Sequence, residues 1–363
     1  MKSLRQFPLV VGLLLVIQAH HTQAAFSSLY AFGDGASTTT NNVNPTPTNY
    51  FGQSYCNGRV WVEVLAQWQG LSYDSDKNWS HFNHFSANLT TNVTTFTAPG
   101  DVGTALFLVW VNNADFVDAL GNPAFGPPYG NPQISPWTNY LNQSLSNHAV
   151  AIQTLYNKGV RTLVMPNAAD LTESPGYPGL VGANKTFVRQ RTLEYNLKFT
   201  GVLSNSMATM PGLQIYQPNI FTLLDQLTTN AASFGMTNPA IDAIDDLFDG
   251  TGNPTFTGPG ANYVFWDYLH PTAKFQMLIA EKAQQLLSPV SINKITSLGA
   301  TNKLDFLNLP IGRNGFVEVS TNLTSWTNAA AITNVSAAQS VLVPVTSSRG
   351  LYRLRLPFVW TWP

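Results

Sequence analysis

Two residues in the second half of the chain have the types and spacing of a hydrolytic base and its partner. Residues 264–272 read Val-Phe-Trp-Asp-Tyr-Leu-His-Pro-Thr, which places Asp267 three residues before His270. A histidine can act as a general base, and a nearby carboxylate holds its tautomer and stabilises the imidazolium. Because a helix-like segment follows at once, both side chains fall in a single loop. The spacing therefore makes Asp267 and His270 candidates for a catalytic orienter and base, although an Asp-x-x-His pair alone is common in proteins.

A second stretch with chemical potential lies near the start of the chain. Residues 29–38 read Leu-Tyr-Ala-Phe-Gly-Asp-Gly-Ala-Ser-Thr, an apolar run that stops at Gly33, Asp34 and Gly35. This pattern predicts a buried strand that ends in a tight turn. Open α/β sheets bind ligands at the carboxyl ends of their strands, so the turn is a candidate site. Asp34 is predicted to organise the turn through hydrogen bonds to the backbone.

The elements that must position these residues alternate between strand and helix. Short apolar runs predict strands, and apolar residues at helical spacing predict helices between them. The predicted strands are 29–32, 105–111, 161–165 and 213–216, and the predicted helices are 61–68, 137–158, 184–207, 220–227 and one that follows Pro271. This alternation predicts an α/β fold with a mostly parallel sheet.

The character of the chain changes beyond Pro289. Helical periodicity disappears, and short strand-like pieces are separated by Asn, Ser, Thr and Gly. We therefore predict a hydrolase-like domain over 25–288 and a small β-rich module over 289–363. The simplest role of that module is a stabilising or surface-attachment appendage.

The N-terminal residues have the layout of a secretory signal peptide. Lys2 and Arg5 precede an apolar stretch over 7–17 and small residues over 22–25. Such a segment is too short for a spanning helix, so we predict a signal peptide over 1–24 and a secreted, cell-surface or periplasmic protein with no integral membrane segment after its removal. Loss of the two basic residues moves the formal charge from −1 to −3. A chain without a basic field is not expected to bind nucleic acid.

Both chemical stretches resemble the conserved blocks of the GDSL, or SGNH, hydrolases. Residues 32–35 are similar to the Phe-Gly-Asp-Ser of block I, and 264–272 are similar to block V. Residues 55–63 resemble the family's Phe-Ser-Asn-Gly-Arg-x-Trp segment, and 109–116 occupy the place of block III. The resemblance covers about residues 28–288. It implies a flavodoxin-like three-layer α/β/α sandwich that hydrolyses esters of small molecules, lipids or glycans, with no cofactor and no metal.

The departures from the family pattern fall on the residues that do its chemistry. Gly35 occupies the position of the nucleophilic serine, and Ala114 that of the oxyanion asparagine. Gly58 is the candidate block II glycine, and Asn112 or Asn113 is a candidate replacement for the lost amide. Loss of a serine nucleophile costs about 10⁶ in kcat in a serine protease. The sequence therefore predicts an ester hydrolase whose serine catalysis is lost or altered.

Three routes would restore catalysis. Ser37 can be considered as a displaced nucleophile, and Cys56 as a thiolate. Alternatively, His270 activates water directly in the space that Gly35 leaves. The competing hypotheses are a non-catalytic pseudohydrolase that binds an ester or acylated glycan, and a structural surface protein with no pocket. His81 and His84 suggest a metal at first sight, but two histidines in a loop without a third ligand are usually ordinary polar residues.

Overall fold

The structure, a computed structural model, describes residues 26–43, 50–126, 133–247, 260 and 262–357. The strands that precede the last helix are β1 (Leu29–Gly33), β2 (Leu106–Trp110), β3 (Thr162–Val164), β4 (Gln214–Tyr216), β5 (Asn238–Asp242) and β6 (Tyr263–Phe265). The helices are α1 (Trp61–Trp68), α2 (Ser86–Thr95), α3 (Asn112–Gly121), α4 (Ile134–Asn157), α5 (Gly182–Thr209), α6 (Ile220–Thr229), α7 (Ala243–Leu247) and α8 (Ala273–Leu287).

The central sheet is parallel, with the strand order β1-β2-β3-β4. Residues 78–81 extend it along the other edge of β1, because Asn78 forms a parallel bridge with Ala31 and Trp79 N donates to Ala31 O at 2.7 Å. With this segment counted as the second strand in the chain, the order is that of a flavodoxin-like sheet. Strands β5 and β6 form a separate parallel pair.

Helices cover both faces of the sheet, which explains why β1 and β2 are apolar throughout and buried along their whole length. Tyr30 and Phe32 point into one core cluster together with residues of α2, α4 and α5. Leu29 and Ala31 point into the other cluster together with residues of α1, α6 and α8. The alternation of neighbouring strand residues between two cores is that of a three-layer sandwich. The predicted α/β/α fold is thereby confirmed.

The chain passes from helix to antiparallel strand between Leu287 and Ser291, where the sequence predicts a domain boundary. The strands beyond it are β7 (Ser291–Ser297), β8 (Thr301–Leu307), β9 (Gly315–Ser320), β10 (Thr327–Ile332), β11 (Gln339–Pro344) and β12 (Leu351–Arg355). They form two three-stranded sheets, β11-β8-β7 and β10-β9-β12. Both sheets contribute to one small apolar core, in which Phe306 and Val317 are among the most buried side chains.

The loop between β8 and β9 joins this β-rich module to the α/β domain. Ile311 N donates to Trp68 O at 3.3 Å, and Arg313 Nη1 lies 3.0 Å from Glu281 Oε2. The guanidinium of Arg313 also lies over the Trp68 ring, 4.9 Å from its centroid. These contacts tie the module to the end of α1 and to α8.

The N-terminal signal prediction lies outside the described residues. Within the described part of the chain, every helix is too short or too polar to cross a bilayer.

Candidate active site

The turn after β1 places Gly35 at the carboxyl edge of the sheet. Asp34 N donates to Trp110 O at 3.1 Å, which ties the turn to the end of β2. The Asp34 carboxylate accepts from Ala36 N at 2.9 Å, the backbone role that the sequence predicts for it. Gly33 is required here, because a Cβ at that position would lie 2.7 Å from both Ser37 Cβ and Ser80 Oγ. The close packing of Ser37 and Ser80 against Gly33 therefore shapes the turn that carries Gly35.

Asp267 and His270 form a hydrogen-bonded pair in the loop between β6 and α8. His270 Nδ1 lies 2.9 Å from Asp267 Oδ2 and 3.0 Å from Oδ1. Asp267 Oδ1 also accepts from the backbone N–H groups of Leu269 and His270 at 2.9 and 2.7 Å. Burial alone would raise the pKa of Asp267, but the nearby His270 and these hydrogen bonds outweigh it and hold that pKa below its usual range. The carboxylate is thus ionised and fixed in orientation.

The imidazole of His270 reaches the position where a side chain on Gly35 would project. A Cβ built on Gly35 would lie 2.6 Å from His270 Nε2 and 3.5 Å from Phe82 Cδ2. The structure thus brings together Gly35, Asp267 and His270, the three predicted catalytic positions. Among the described residues, no hydroxyl or thiol forms a hydrogen bond with the His270 ring.

Two tyrosines from the loop before α1 support the Asp267–His270 pair. The Tyr50 hydroxyl donates to Asp267 Oδ2 at 3.0 Å, and the Tyr55 ring stacks on the His270 ring with centroids 4.5 Å apart. Burial and the Asp267 charge raise the pKa of the Tyr50 hydroxyl, which keeps it a donor. Neither tyrosine is identifiable from local sequence, because both contacts are made across more than 200 residues.

A cavity of about 100 Å³ opens beside Gly35 and His270. Polar residues at its wall include Asp34, Asn83 and Asn113, while most of the other lining residues are apolar. Asn113 Oδ1 accepts from Ala169 N at 2.9 Å, which leaves its Nδ2 as the available donor of an amide that lines the cavity. Asn112 instead donates from Nδ2 to Pro166 O at 3.0 Å and is buried. Of the two candidate amides, Asn113 is the one placed to contact a ligand.

Gly58, which the sequence predicts as an oxyanion residue, does not line the cavity. It is buried, and the segment around it is structural, since Asn57 Oδ1 accepts from Ala273 N at 2.8 Å at the start of α8. The cavity wall carries Asn83 instead, whose φ of 59° is in the left-handed region. Asparagine tolerates this conformation, but nothing in the local sequence distinguishes Asn83 from other loop asparagines.

Neither alternative nucleophile lies in the cavity. Ser37 Oγ accepts from Trp61 Nε1 at 2.9 Å and is buried beneath the turn. Cys56 is fully buried, and burial strongly raises the pKa of its thiol, so the reactive thiolate is disfavoured. The positions of both residues argue against the two covalent routes considered from the sequence.

His81 and His84 pair with one another rather than with a set of metal ligands. Their rings are 4.6 Å apart, and His84 Nδ1 lies 3.2 Å from Asn92 Nδ2. Within the described ranges, no cluster of three histidine, cysteine or carboxylate side chains has the geometry of a metal site. Burial lowers the pKa of both histidines.

The pKa of the Asp34 carboxyl is higher than that of an ordinary aspartate. Burial raises its pKa to about 6, although hydrogen bonds from Ala36 and Ala114 N–H and the charge of His270 oppose the shift. Asp115 contributes a further, smaller increase through like-charge repulsion. A carboxyl group with a raised pKa beside a cavity is typical of functional sites.

We expect Asp34 to make the protein less stable as the pH rises from about 4 to 6. The unfolded chain ionises Asp34 near pH 3.9, whereas the folded chain keeps it protonated to about pH 6, so its stabilising contribution is complete below pH 4 and lost above pH 6. The difference corresponds to about 3 kcal/mol. Urea unfolding at several pH values should show this decline in the unaltered protein and a smaller one in Asp34→Asn. An identical pH dependence in both proteins would contradict the assignment.

Comparison with known proteins identifies ester hydrolases as relatives. No protein-family model matches the chain. A GDSL esterase/lipase of Arabidopsis thaliana is 24% identical over 325 residues, which cover 72% of this chain and 90% of that protein. A second GDSL esterase/lipase of the same plant is 24% identical over 210 residues, 53% of this chain and 52% of its own length. The thermolabile hemolysin of Vibrio parahaemolyticus is 23% identical over 274 residues, 70% of this chain and 62% of that protein.

Solved structures of similar arrangement include lipases and esterases. The lipase Lip_vut3 from a goat rumen metagenome is 9% identical, with a TM-score of 0.41 over 72% of this chain and 97% of that one. The acetylxylan esterase Axe2 of Geobacillus stearothermophilus is 10% identical, with a TM-score of 0.36 over 71% and 92% of the two chains.

Proposed function

Since the chain belongs to the GDSL/SGNH family of ester hydrolases, we propose that it hydrolyses carboxylic esters with a water molecule activated by His270 in place of a serine nucleophile. The observation that carries this proposal is the geometry at Gly35. His270 Nε2 faces a position with no side chain, while Nδ1 remains bound to an ionised Asp267. The base His270 and its orienting carboxylate Asp267 are both present, and a water molecule can take the place of the absent serine hydroxyl.

The contacts that orient the His270 ring favour an active general base over a histidine that has lost its catalytic role. The ring is held by Asp267 on one edge and by the stacked Tyr55 on one face, and Asp267 accepts a further hydrogen bond from Tyr50. Fixed orientation of this kind is what general-base catalysis requires, because the base must lie within hydrogen-bond reach of the proton that it removes. The cavity beside the ring supplies room for water and an ester.

The proposed reaction needs no partner other than water. His270 Nε2 removes one proton from water while the water oxygen bonds to the carbonyl carbon, and the carbonyl electron pair moves to oxygen. The tetrahedral intermediate then expels the alcohol oxygen, which takes the proton from Nε2. The products are the carboxylic acid and the alcohol, and the neutral imidazole is restored.

Hydrogen-bond donors at the cavity wall stabilise the tetrahedral intermediate. The Gly35 backbone N–H and the Nδ2 of Asn113 are the donors that we assign to the developing oxyanion, with Asn113 in the role of the amide missing at Ala114. One such donor contributes about 10² to 10³ in kcat. Asp34 is assigned a role in shaping the turn that presents the Gly35 N–H.

Turnover should be slow and independent of any reactive serine. Sites that lack the nucleophile retain about 10³ to 10⁴ over the uncatalysed rate. We expect the unaltered protein to hydrolyse 4-nitrophenyl acetate and butyrate in this range, and a fluorophosphonate that inactivates serine esterases to leave the rate unchanged. Inactivation by the fluorophosphonate would refute the water route, and complete absence of hydrolysis would refute the proposed activity.

Ligand binding without turnover is the second candidate function. It is favoured by Ala114, since loss of the amide at that position weakens the oxyanion site more than it weakens ground-state binding. The substrates that suit either function are esters of small molecules, lipids or glycans.

We also propose that the protein is exported, to the cell surface, periplasm or medium. The support is the basic, apolar and small-residue pattern of residues 1–24. Amino-terminal sequencing should show that the exported protein begins near Ala25. An exported protein that retains residues 1–24 would contradict this assignment.

A further inference from the structure

A groove separate from the catalytic cavity lies between α5 and α6 and has a volume of about 300 Å³. Asn167 and Gln217, which follow β3 and β4 in the chain, contribute to its lining. Helix α5 belongs to the core on one face of the sheet, and α6 belongs to the core on the other face. The groove therefore passes from one face to the other over the carboxyl ends of β3 and β4.

The groove is polar but carries no charge. Among the described residues that line it, every polar side chain is an amide or a hydroxyl, namely Asn167, Asn196, Thr200, Gln217, Asn219 and Thr222. The guanidinium of Arg189 lies over the ring of the lining residue Phe221, but it is bound by the carboxylates of Asp170 and Asp225. Its positive charge is thus already compensated.

The N-terminus of α6 is also closed to an anion. Asn167 Oδ1 accepts from Ile220 N and Phe221 N at 2.7 and 3.1 Å. Asn219 Oδ1 accepts from Thr222 N at 2.9 Å. Because side chains already bind the N–H groups that would otherwise hold a phosphate or carboxylate, the groove suits a neutral ligand.

Three polar groups of the groove remain open to such a ligand. The described residues provide no hydrogen-bond partner for Gln217 Nε2, Asn219 Nδ2 or the Thr222 hydroxyl. Gln217 is fixed from its other end, since Thr200 Oγ1 donates to Gln217 Oε1 at 2.9 Å. Two amide donors and a hydroxyl that both donates and accepts match a ligand rich in hydroxyl groups.

Apolar side chains complete the groove. Leu193 and Leu197, one turn apart on α5, are 47% and 76% exposed, and Phe221 adds an aromatic ring from α6. A sugar ring carries hydroxyl groups around its edge and C–H groups on its faces. It can therefore bond to the amides while it covers the exposed leucines.

We propose that this groove is a binding site for a neutral carbohydrate, with room for about one or two sugar rings. The site does not depend on the proposed hydrolysis, because the groove and the catalytic cavity share no lining residue. The two are nevertheless neighbours, since Ile220 of the cavity wall lies in the chain between Asn219 and Phe221 of the groove. A carbohydrate bound there holds the protein on a glycan beside its catalytic site.

The first test is saturation-transfer NMR of the unaltered protein with four unesterified trisaccharides: cellotriose, xylotriose, mannotriose and chitotriose. We expect transfer to the ring C–H protons of at least one of them. Trialanine, which has backbone donors and acceptors but no sugar ring, should show no transfer. Absence of transfer to all four sugars, or binding of trialanine alone, would overturn the proposal.

Exposed leucines of similar accessibility provide a matched set of variants. Leu193 lines the groove, whereas Leu286 of α8 is 43% exposed and does not line it. Leu193→Ala and Leu197→Ala should each weaken binding of the sugar by about three- to tenfold, because they remove methyl groups that the sugar covers. Leu286→Ala should bind as the unaltered protein does. Equal affinities in all three variants would overturn the groove assignment.

A fourth variant separates the groove from the catalytic cavity. His270→Gln should bind the sugar with unchanged affinity. Loss of binding in His270→Gln, together with full binding in Leu197→Ala, would place the sugar in the catalytic cavity and overturn the groove assignment. If the sugar binds as expected while no ester is hydrolysed, the proposed function fails and the carbohydrate site stands. Ester hydrolysis without any sugar binding would have the opposite meaning.

Discussion

Replacement of His270 with alanine is expected to lower kcat for 4-nitrophenyl butyrate by about 10² to 10⁴, the usual contribution of a positioned general base. The loss should appear in kcat rather than in KM, because the imidazole acts on water and makes its main contribution in the transition state. Steady-state kinetics of the purified variant measures both constants.

Two further variants distinguish loss of the general base from loss of stability and from the effect of replacing any histidine. His270→Gln keeps a side-chain donor near Asp267 and limits the cost of leaving a buried carboxylate without its partner. It should lose activity to the same extent as His270→Ala. His81→Ala removes a half-buried histidine that does not line the cavity and should retain full activity. Undiminished hydrolysis in His270→Gln would show that another group is the base.

Replacement of Gly35 with serine is expected to create a covalent esterase and to raise kcat by about 10² to 10³. The gain is smaller than the full value of a serine nucleophile for two reasons. Asn113 has to act for the oxyanion asparagine absent at Ala114, and a donor at the neighbouring position recovers only part of the factor of about 10² to 10³ that such a donor contributes. The new Cβ would also begin 2.6 Å from His270 Nε2, so the ring must retreat against Tyr55 and Asp267. Kinetics and labelling by a fluorophosphonate measure the gain.

Gly35→Ala is the matched control for this variant. It introduces the same Cβ and the same displacement of His270 but no hydroxyl, so it should be less active than the unaltered protein and should resist the fluorophosphonate. The backbone at Gly35 imposes no penalty, since Gly35 is not among the residues with a positive φ. Equal activities of Gly35→Ser and Gly35→Ala would contradict the placement of residue 35 opposite the base.

The sandwich could be predicted because its strands are unambiguous in sequence. The runs at Leu29–Gly33 and Leu106–Trp110 are apolar throughout, as buried parallel strands require. Helix α2 escaped prediction because Ser86–Thr95 is rich in threonine and asparagine, which are poor helix formers. Its Leu89 and Val93 are buried in the core cluster that also contains residues of α4, so tertiary packing decides its structure. The edge segment 78–81 likewise has no strand-like composition of its own.

The site was predictable where its residues are neighbours in the chain. Asp267 and His270 lie in one loop, and their spacing together with the block V resemblance of residues 264–272 indicates a base and its orienter. Gly58 and Asn83 illustrate the opposite case. Both lie in loops, and the choice of which loop faces the cavity depends on how α1 and the 78–81 segment pack, which local sequence does not encode.

In the proposed reaction, His270 activates water to attack the ester, and no acyl-enzyme forms. The most direct test is the first turnover of 4-nitrophenyl butyrate by the unaltered protein, followed by rapid mixing and by intact-protein mass spectrometry. Nitrophenol and butyrate should be released together, with no burst and no butyrylated protein, at a rate that His270→Gln lowers by about 10² to 10⁴. A burst of nitrophenol with a butyryl adduct on the protein would contradict the water route.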